Sequence, residues 1–370
     1  MTPARRRLRA VTDGVLTLGP QTVHLDITNA CNTDCITCWD HSPLLRKARP
    51  VAWKRQRAEP AQLHTLLDDI QALGGLESVI VSGMGEPFTH PAVYDILADV
   101  KRRGLHLTVI TNLVAADADR ILQLGVDQLL IGVHGASQDA YLAFHPSFGP
   151  AHWHRLHAML HRFRDAGRRF KHVQVIAACN AHELAEMVEF ADRFHAAQVN
   201  FKLASLSHGT EAALITHEQR ARLLGDGLHA AQNRSRALGV PTNLDVLEMQ
   251  LRTGGEHTAP IEEVGCFLGP HYARVAVDGT VLYCCNTEIV VGKLGDGVRF
   301  SGLWGGPAWQ SWRLRLLRGE YADSCRQCGK LNQNVKLSER FRALFGEDAW
   351  RRATGRGAEA PPPHPLRVIA

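Results

Sequence analysis

Between residues 22 and 205, apolar strand-like runs alternate with amphipathic stretches, and this alternation restricts the fold of the 370-residue chain more than any other feature. Strand candidates at 22–28, 78–83, 105–112, 128–134, 172–180 and 199–205 are separated by segments at 61–73, 92–103, 115–124, 153–166 and 181–196. Each separating segment is apolar at i, i+3 and i+4, the spacing of a helix with one buried face. A helix between successive strands forces parallel pairing, because a tight turn would be enough for an antiparallel pair. The expectation is an α/β fold, a partial (β/α)6 TIM-like barrel with its functional loops at the C-terminal ends of the strands.

Side-chain alternation along each strand divides the residues between the helix layer and the barrel interior. On the first strand Val23, Leu25 and Ile27 share one face, while His24, Asp26 and Thr28 share the other. The apolar face must meet the helices, so the polar set is predicted to line a lumen. By the same rule Thr108, Ile110 and Asn112 point inward, as do Leu130, Gly132 and His134, then Gln174, Ile176, Ala178 and Asn180, then Asn200, Lys202 and Ala204. Cys179 falls with Val173 and Val175 on the opposite face and reads as a buried structural thiol.

A long helical stretch at 216–238 follows, a further strand is expected near 240–243, and the Gly- and Pro-containing segment 254–260 reads as a linker. Beyond it, Asp278-Gly279 marks a hairpin turn between strands at 272–277 and 280–284. The tail from residue 355 is rich in proline and predicted to be disordered.

Seven of the nine cysteines fall into two groups. Cys31, Cys35 and Cys38 form C-x3-C-x2-C directly after the first strand, and Cys266, Cys284, Cys325 and Cys328 form a distant set closing on C-x2-C. Three thiolates on a four-iron cube leave one iron open for a ligand, whereas four close the cube. The alternative is a zinc-stabilised interaction module with two zinc sites, although the first group has no evident fourth ligand. No run of about 18 apolar residues and no secretion signal is present, so a cytoplasmic protein with no membrane partner is expected, and its cysteines suit metal binding better than disulfides.

A formal charge of +5 is mild for this length and does not call for DNA. It is unevenly placed: Arg46, Lys47, Arg49, Lys54, Arg55 and Arg57 crowd between Ser42 and Pro60 against Glu59 alone. This stretch is either a solvated basic loop or an anion-binding lid, with Trp53 as a stacking surface.

Taken together, these motifs resemble the radical S-adenosylmethionine (radical SAM) superfamily. The C-x3-C-x2-C loop after a first strand is similar to that family's signature, and Gly83-Met84-Gly85-Glu86-Pro87 after the second resembles its Gly-Gly-Glu-Pro segment, with Met84 in place of the first glycine. The resemblance implies a [4Fe-4S] cluster on Cys31, Cys35 and Cys38 whose open iron chelates S-adenosylmethionine, which is cleaved to a hydrogen-abstracting 5′-deoxyadenosyl radical. Gly85 and Glu86 would steer the methionine group, Asn112 and His134 would contact the cofactor, and Trp39 would pack the adenine in place of an aromatic residue at position 37. The last third resembles the family's auxiliary-cluster domain in its shortened twitch form, related to SPASM, which implies a second [4Fe-4S] cluster on Cys266, Cys284, Cys325 and Cys328. The implied organisation is an extension over 1–20, a radical SAM barrel over 21–253, the twitch/SPASM-like domain over 254–345 and a tail over 346–370. A reductase such as ferredoxin or flavodoxin is the implied electron donor.

A closed second cluster suits electron acceptance, which points to dehydrogenation of a sugar or aminocyclitol in natural-product biosynthesis, with Lys202 or His24 as base or hydroxyl anchor. Epimerisation with Cys285 as hydrogen donor is the first alternative, and modification of a ribosomally made peptide the second. The basic stretch after Trp39 would suit an anionic small molecule such as a nucleotide or phosphorylated sugar.

Overall fold

The computed structural model describes residues 2–253, 258–356 and 367–368, so residues 254–257 of the linker predicted at 254–260, and residues 357–366 and 369–370 of the tail predicted to be disordered from 355, lie outside the described residues. Six strands, β1 (Thr22–Asp26), β2 (Ser78–Ser82), β3 (His106–Thr111), β4 (Gln128–Gly132), β5 (Lys171–Ile176) and β6 (Gln198–Leu203), pair in parallel, each with the next. The predicted helices lie between them as Pro60–Ala72, Val93–Arg102, Ala118–Leu124, Pro150–Asp165 and Leu184–Arg193. Val23, Leu25, Val79, Val81, Leu107, Val109, Leu129 and Ile131 are fully buried in one cluster with Leu67, Ile70, Leu97 and Val100 of the helices. At about 25 cal/mol per Å² of apolar surface removed from water, this layer supplies most of the barrel's cohesion.

The sheet does not close on itself. β6 is an edge, and on the far side of β1 the sheet continues with β7 (Tyr272–Val275), β8 (Thr280–Leu282) and β9 (Val290–Lys293), in the order β9-β8-β7-β1-β2-β3-β4-β5-β6. β7 runs parallel to β1 with His24 opposite Arg274, and β8 and β9 return antiparallel. The turn between β7 and β8 is the predicted one: Gly279 has φ +82° and Asp278 Oδ1 accepts from the Thr280 amide at 3.1 Å. The C-terminal segment is therefore joined to the barrel through its backbone.

The edge at β6 is covered by the chain that follows. Asn243 accepts from the Phe201 amide and donates to its carbonyl, and Gln250 accepts from Leu203. The strand expected at 240–243 reduces to one bridge, Val199 with Thr242. The long helix predicted over 216–238 is present, interrupted by a π turn at Leu223–Gly227 where Gly225 and Gly227 weaken the regular ladder. Glu347–Ala353, expected in the tail, forms a helix whose Trp350 is buried in one cluster with Leu8, Val11 and Phe341. Among the described residues no helix is long and apolar enough to cross a membrane.

One face assignment is corrected. On β5 the register sets Val173 against Asn200 and Val175 against Lys202, so the two valines face the lumen. Gln174 and Ile176 point to the helix layer, Ile176 among Met187, Val188 and Phe201. The rule that the polar face lies inward fails here because Gln174 is wholly buried with neither amide atom hydrogen-bonded, a cost of the order of 1–3 kcal/mol that composition alone does not reveal. Cys179 stays with Val175, in a small cluster that also holds Ile36 and Phe144, and burial pushes its thiol up to about 11.

Candidate active site

β1 delivers the chain into the loop carrying Cys31, Cys35 and Cys38, and a glycine segment after β2 locks that loop in place. A side-chain carbon on Gly85 would lie 1.9 Å from the Ala30 carbonyl oxygen, and one on Gly83 2.2 Å from that of Thr28. Glycine is required at both positions because the two backbones touch, with Gly85 and Glu86 amides donating to Thr28 and Ala30. Met84, between them, lines the central cavity. The Asp40 and His41 amides donate to Cys38 Sγ at 3.5 and 3.3 Å. Burial pushes the Cys31 thiol up to about 12 and raises Cys35 and Cys38, so as thiolates they need the positive charge that a metal cluster brings.

The residues expected around the cofactor have distinct surroundings. Glu86 is buried: Oε1 accepts from the Thr111 hydroxyl at 2.6 Å and the Phe88 amide at 3.2 Å, and Oε2 from the Asn112 amide at 2.8 Å. Its carboxylate thus ties the end of β2 to the end of β3. Asn112 in turn donates to Asn32 in the cysteine loop at 2.7 Å. His134 is held in a left-handed conformation, φ +58°, with its ring stacked on Phe144 and Nδ1 accepting from the Val175 amide, so only Nε2 remains to donate. That nitrogen lies over Gly132, where a side-chain carbon would come within 2.6 Å. Trp39 is 42% exposed, borders the cavity and donates its indole N–H to the Ser205 carbonyl beyond β6.

A cavity of about 520 Å³ runs from Asn29, Trp39 and Met84 through the lumen at His24, Ile110 and Lys202 to the second cysteine set. Cys266, Cys284, Cys285, Cys325 and Cys328 all line it. The second set carries its own polar cradle, with the Asn286 amide donating to Cys284 Sγ at 3.4 Å and Asn334 Nδ2 to Cys328 Sγ at 3.7 Å. Between the two ends lies a buried network. His24 Nδ1 bonds Tyr272 Oη at 2.6 Å and Nε2 meets Ser82 Oγ, while Asp26 accepts from Ser82 at 3.2 Å and from Arg274 Nε at 2.8 Å. Both ring nitrogens of His24, expected as base or hydroxyl anchor, are engaged, and burial followed by Arg274, Lys330 and Lys202 lowers its basicity.

Two cations in this region form no ion pair among the described residues, Lys202 on β6 and Lys330 after Cys328. Lys330 Nζ rests 4.5 Å from the centre of the Tyr272 ring, and burial lowers it to about 8. Cys285, the candidate hydrogen donor, lines the cavity and is made more acidic than Cys284 first by a hydrogen bond from that thiol and then by Lys330, Arg274 and Lys202.

The chain after Trp39 borders the cavity as a strap, with Asp40, Arg49, Trp53 and Gln56 among the lining residues. One end is pinned to the cysteine loop by the Asn29 amide donating to the Gln56 carbonyl and Asn29 Nδ2 to Gln56 Oε1, and the other by the Arg46 amide donating to the His208 carbonyl. Arg49 pairs with Asp40 at 2.7 Å and stacks on Trp53, and both border the cavity.

Comparison with known proteins agrees with this geometry. The family model described as the radical SAM superfamily matches residues 25–193, and that of an iron–sulfur cluster-binding domain, SPASM, matches residues 266–329. The chain is a radical SAM protein with a C-terminal SPASM domain. Both imply [4Fe-4S] clusters and S-adenosylmethionine, and the N–H donors aimed at Cys38, Cys284 and Cys328 fit thiolates that carry such clusters. The zinc-module reading falls with this assignment. An AdoMet-dependent heme synthase of Methanosarcina barkeri is 21% identical over 293 residues, 75% of this chain and 80% of that protein. Among solved radical SAM structures, SuiB of Streptococcus suis bound to S-adenosylmethionine superposes with a TM-score of 0.62 at 14% identity, covering 90% of this chain and 75% of that one. Native anSMEcpe with bound AdoMet gives 0.61 at 13% identity, covering 90% and 100%. These two share the fold.

Sequence reasoning located the seven cysteines but missed Arg274, Tyr272 and Lys330. The first two alternate with Ala273 and Val275 on β7, a period-2 signal that carries no information about which strand β7 joins. Lys330 stands two residues beyond Cys328, a proximity that becomes meaningful only once the cavity is seen.

Proposed function

We propose that this radical SAM enzyme carries out a two-electron oxidation of an anionic substrate held in the lumen, with the cluster on Cys31, Cys35 and Cys38 at one end and the cluster on Cys266, Cys284, Cys325 and Cys328 at the other. The observation that carries this reading is the single cavity bordered by the lumen residues and by the second cysteine set together. Bound at these two sites, the cofactors would supply hydrogen-atom abstraction at one end and an acceptor for the remaining electron at the other. Lys202, which lines the cavity and forms no ion pair among the described residues, anchors the substrate's anionic or hydroxyl group. Glu86 braces the glycine segment and Asn112 the cysteine loop, so that Gly85 keeps its close backbone approach. Lys202 and Lys330 repel the ammonium groups of an aminocyclitol, which favours a phosphorylated or carboxylated sugar within the class expected from sequence.

Cys285 supports a second reading. As a thiol inside the cavity it could return a hydrogen atom to a substrate radical, giving epimerisation without net oxidation. A peptide is the competing substrate class, since SuiB is seen bound to precursor peptide SuiA and anSMEcpe to a Cp18Cys peptide.

The test is anaerobic turnover of reconstituted protein in deuterated water against phosphorylated sugars, sugar acids and peptides. A product two hydrogens lighter, formed one per 5′-deoxyadenosine, supports oxidation. Solvent deuterium in a product of unchanged formula, lost in Cys285→Ala, overturns it in favour of epimerisation.

A further inference from the structure

Three thiolates leave one iron of a cube without a protein ligand, and the chain carries a further candidate just beyond them. His41 continues the spacing as Cys31-x3-Cys35-x2-Cys38-x2-His41, in the same short steps that gather the thiols. Its amide donates to Cys38 Sγ at 3.3 Å, which ties the backbone of residue 41 to a cluster cysteine. The imidazole packs on Trp53 with 6.0 Å between ring centroids, and Nε2 is buried without a hydrogen-bond partner among the described residues. A buried ring nitrogen of this kind calls for an explanation, because neither water nor protein satisfies it. A hollow of about 380 Å³ is lined by Cys31 and His41 together. The oxygens beside them are engaged: Asp34 Oδ1 accepts from the Ser147 amide at 2.9 Å, Asn32 Oδ1 from Asn112 at 2.7 Å and Thr33 Oγ1 from the Ser147 hydroxyl at 3.5 Å. The Asn29 and Met84 carbonyls face the ring, and with Nε2 unbonded they take the proton of Nδ1, which leaves the lone pair on Nε2. A ligating imidazole is commonly oriented in this way, by an acceptor on its other nitrogen.

We infer that His41 Nε2 is a fourth, displaceable protein ligand of the cluster on Cys31, Cys35 and Cys38, bound while S-adenosylmethionine is absent. The inference rests on the assignment of that cluster to the three cysteines. Imidazole nitrogen is a suitable ligand for iron, and it carries no charge that the loop would have to compensate. The exchange is a substitution: the bond from Nε2 to the open iron breaks as the cofactor's own donor atoms bind there, no electron moves, and the proton stays on Nδ1. With His41 bound, all four irons have protein ligands, which closes the cube to water and oxygen until the cofactor arrives. The cofactor then binds only to the fraction from which His41 has been released, so its apparent affinity is lowered by that fraction.

Electron–nuclear double resonance of the reduced, cofactor-free holoenzyme, prepared with isotopically labelled histidine, reads this bond directly and needs no variant. The expected result is a strong histidine-nitrogen coupling that vanishes when S-adenosylmethionine is added. Its absence from the cofactor-free enzyme overturns the inference. His41→Phe, which keeps a ring against Trp53, supplies a second readout: S-adenosylmethionine should bind roughly fivefold more tightly, and a chelator should strip iron faster from the cofactor-free protein. A residue that merely packs or contacts the cofactor would not give that pair of opposite effects. Weaker cofactor binding in His41→Phe overturns the inference in favour of a cofactor contact, and unchanged binding with unchanged iron loss overturns it in favour of packing. If the cysteine assignment itself were wrong, adding S-adenosylmethionine would leave every signal of the reduced unmodified enzyme as it was, which distinguishes that failure from a misassigned His41.

Discussion

Arg274 Nε donates to the carboxylate of Asp26 at 2.8 Å, joining the strand that opens the C-terminal domain to the first barrel strand. The Asp26 side chain is fully buried and that of Arg274 nearly so, and Arg274 Nη1 also donates to the Cys285 carbonyl at 3.1 Å. Asp26 holds the guanidinium charged, while burial pushes the Asp26 carboxyl up against it. Removing one partner strands the other charge at a cost of roughly 3–5 kcal/mol, more than removing both. Urea denaturation is expected to show Arg274→Met as less stable than Asp26→Asn/Arg274→Met. Equal stabilities would show that the pair is not coupled.

The Glu86 carboxyl gives the fold a pH dependence of defined sign. Burial raises it from the ordinary 4.5 to about 7, against the opposing bonds from Thr111, Asn112 and Phe88. The folded state then holds a proton that the unfolded state releases near pH 4.5, so this group's contribution to stability is complete below that pH and is lost as pH rises toward 7. The shift corresponds to roughly 3 kcal/mol. Glu86→Gln is expected to flatten the stability profile between pH 4.5 and 7 even if its absolute stability is lower. A slope identical to the parent's would assign the dependence to another group.

What could be read in advance divides along physical lines. Strand and helix order followed from local periodicity, and both cysteine sets from spacing, because each is encoded by residues close together in the chain. The inward turn of Val173 and Val175 was missed because β5 buries a polar Gln174 on its helix side, so polarity no longer marked the lumen. The pairing of β7 with β1 was missed for a different reason. His24 and Arg274 meet only through a register set by tertiary packing, and no local pattern reports a contact across that separation.

Cysteine substitutions separate the two cluster sites. Cys31→Ala, Cys35→Ala and Cys38→Ala should each abolish 5′-deoxyadenosine formation, whereas Cys325→Ala/Cys328→Ala should keep some formation while product is lost. Iron in the latter variant should fall from about eight to about four per chain. Continued product formation at half the iron would refute a role for the second site in turnover.

Lys330 offers the most direct handle on the electron-accepting role proposed for the second site. Its ammonium lies over the Tyr272 ring and faces the thiols of Cys285 and Cys328, and no carboxylate pairs with it among the described residues. A cation beside a thiolate-ligated cube favours the reduced, more negative state, so its presence raises the reduction potential. Lys330→Met keeps the apolar stem and removes the charge. Potentiometric titration followed by electron paramagnetic resonance should place the second cluster's midpoint lower, on the order of 60 mV for a tenfold change in the one-electron equilibrium. Lys330→Arg should recover most of the shift, which a merely structural lysine would not require. If the midpoint of Lys330→Met equals the parent's at equal iron content, the charge does not reach the cluster, and its role is confined to repelling cationic substrates from the lumen.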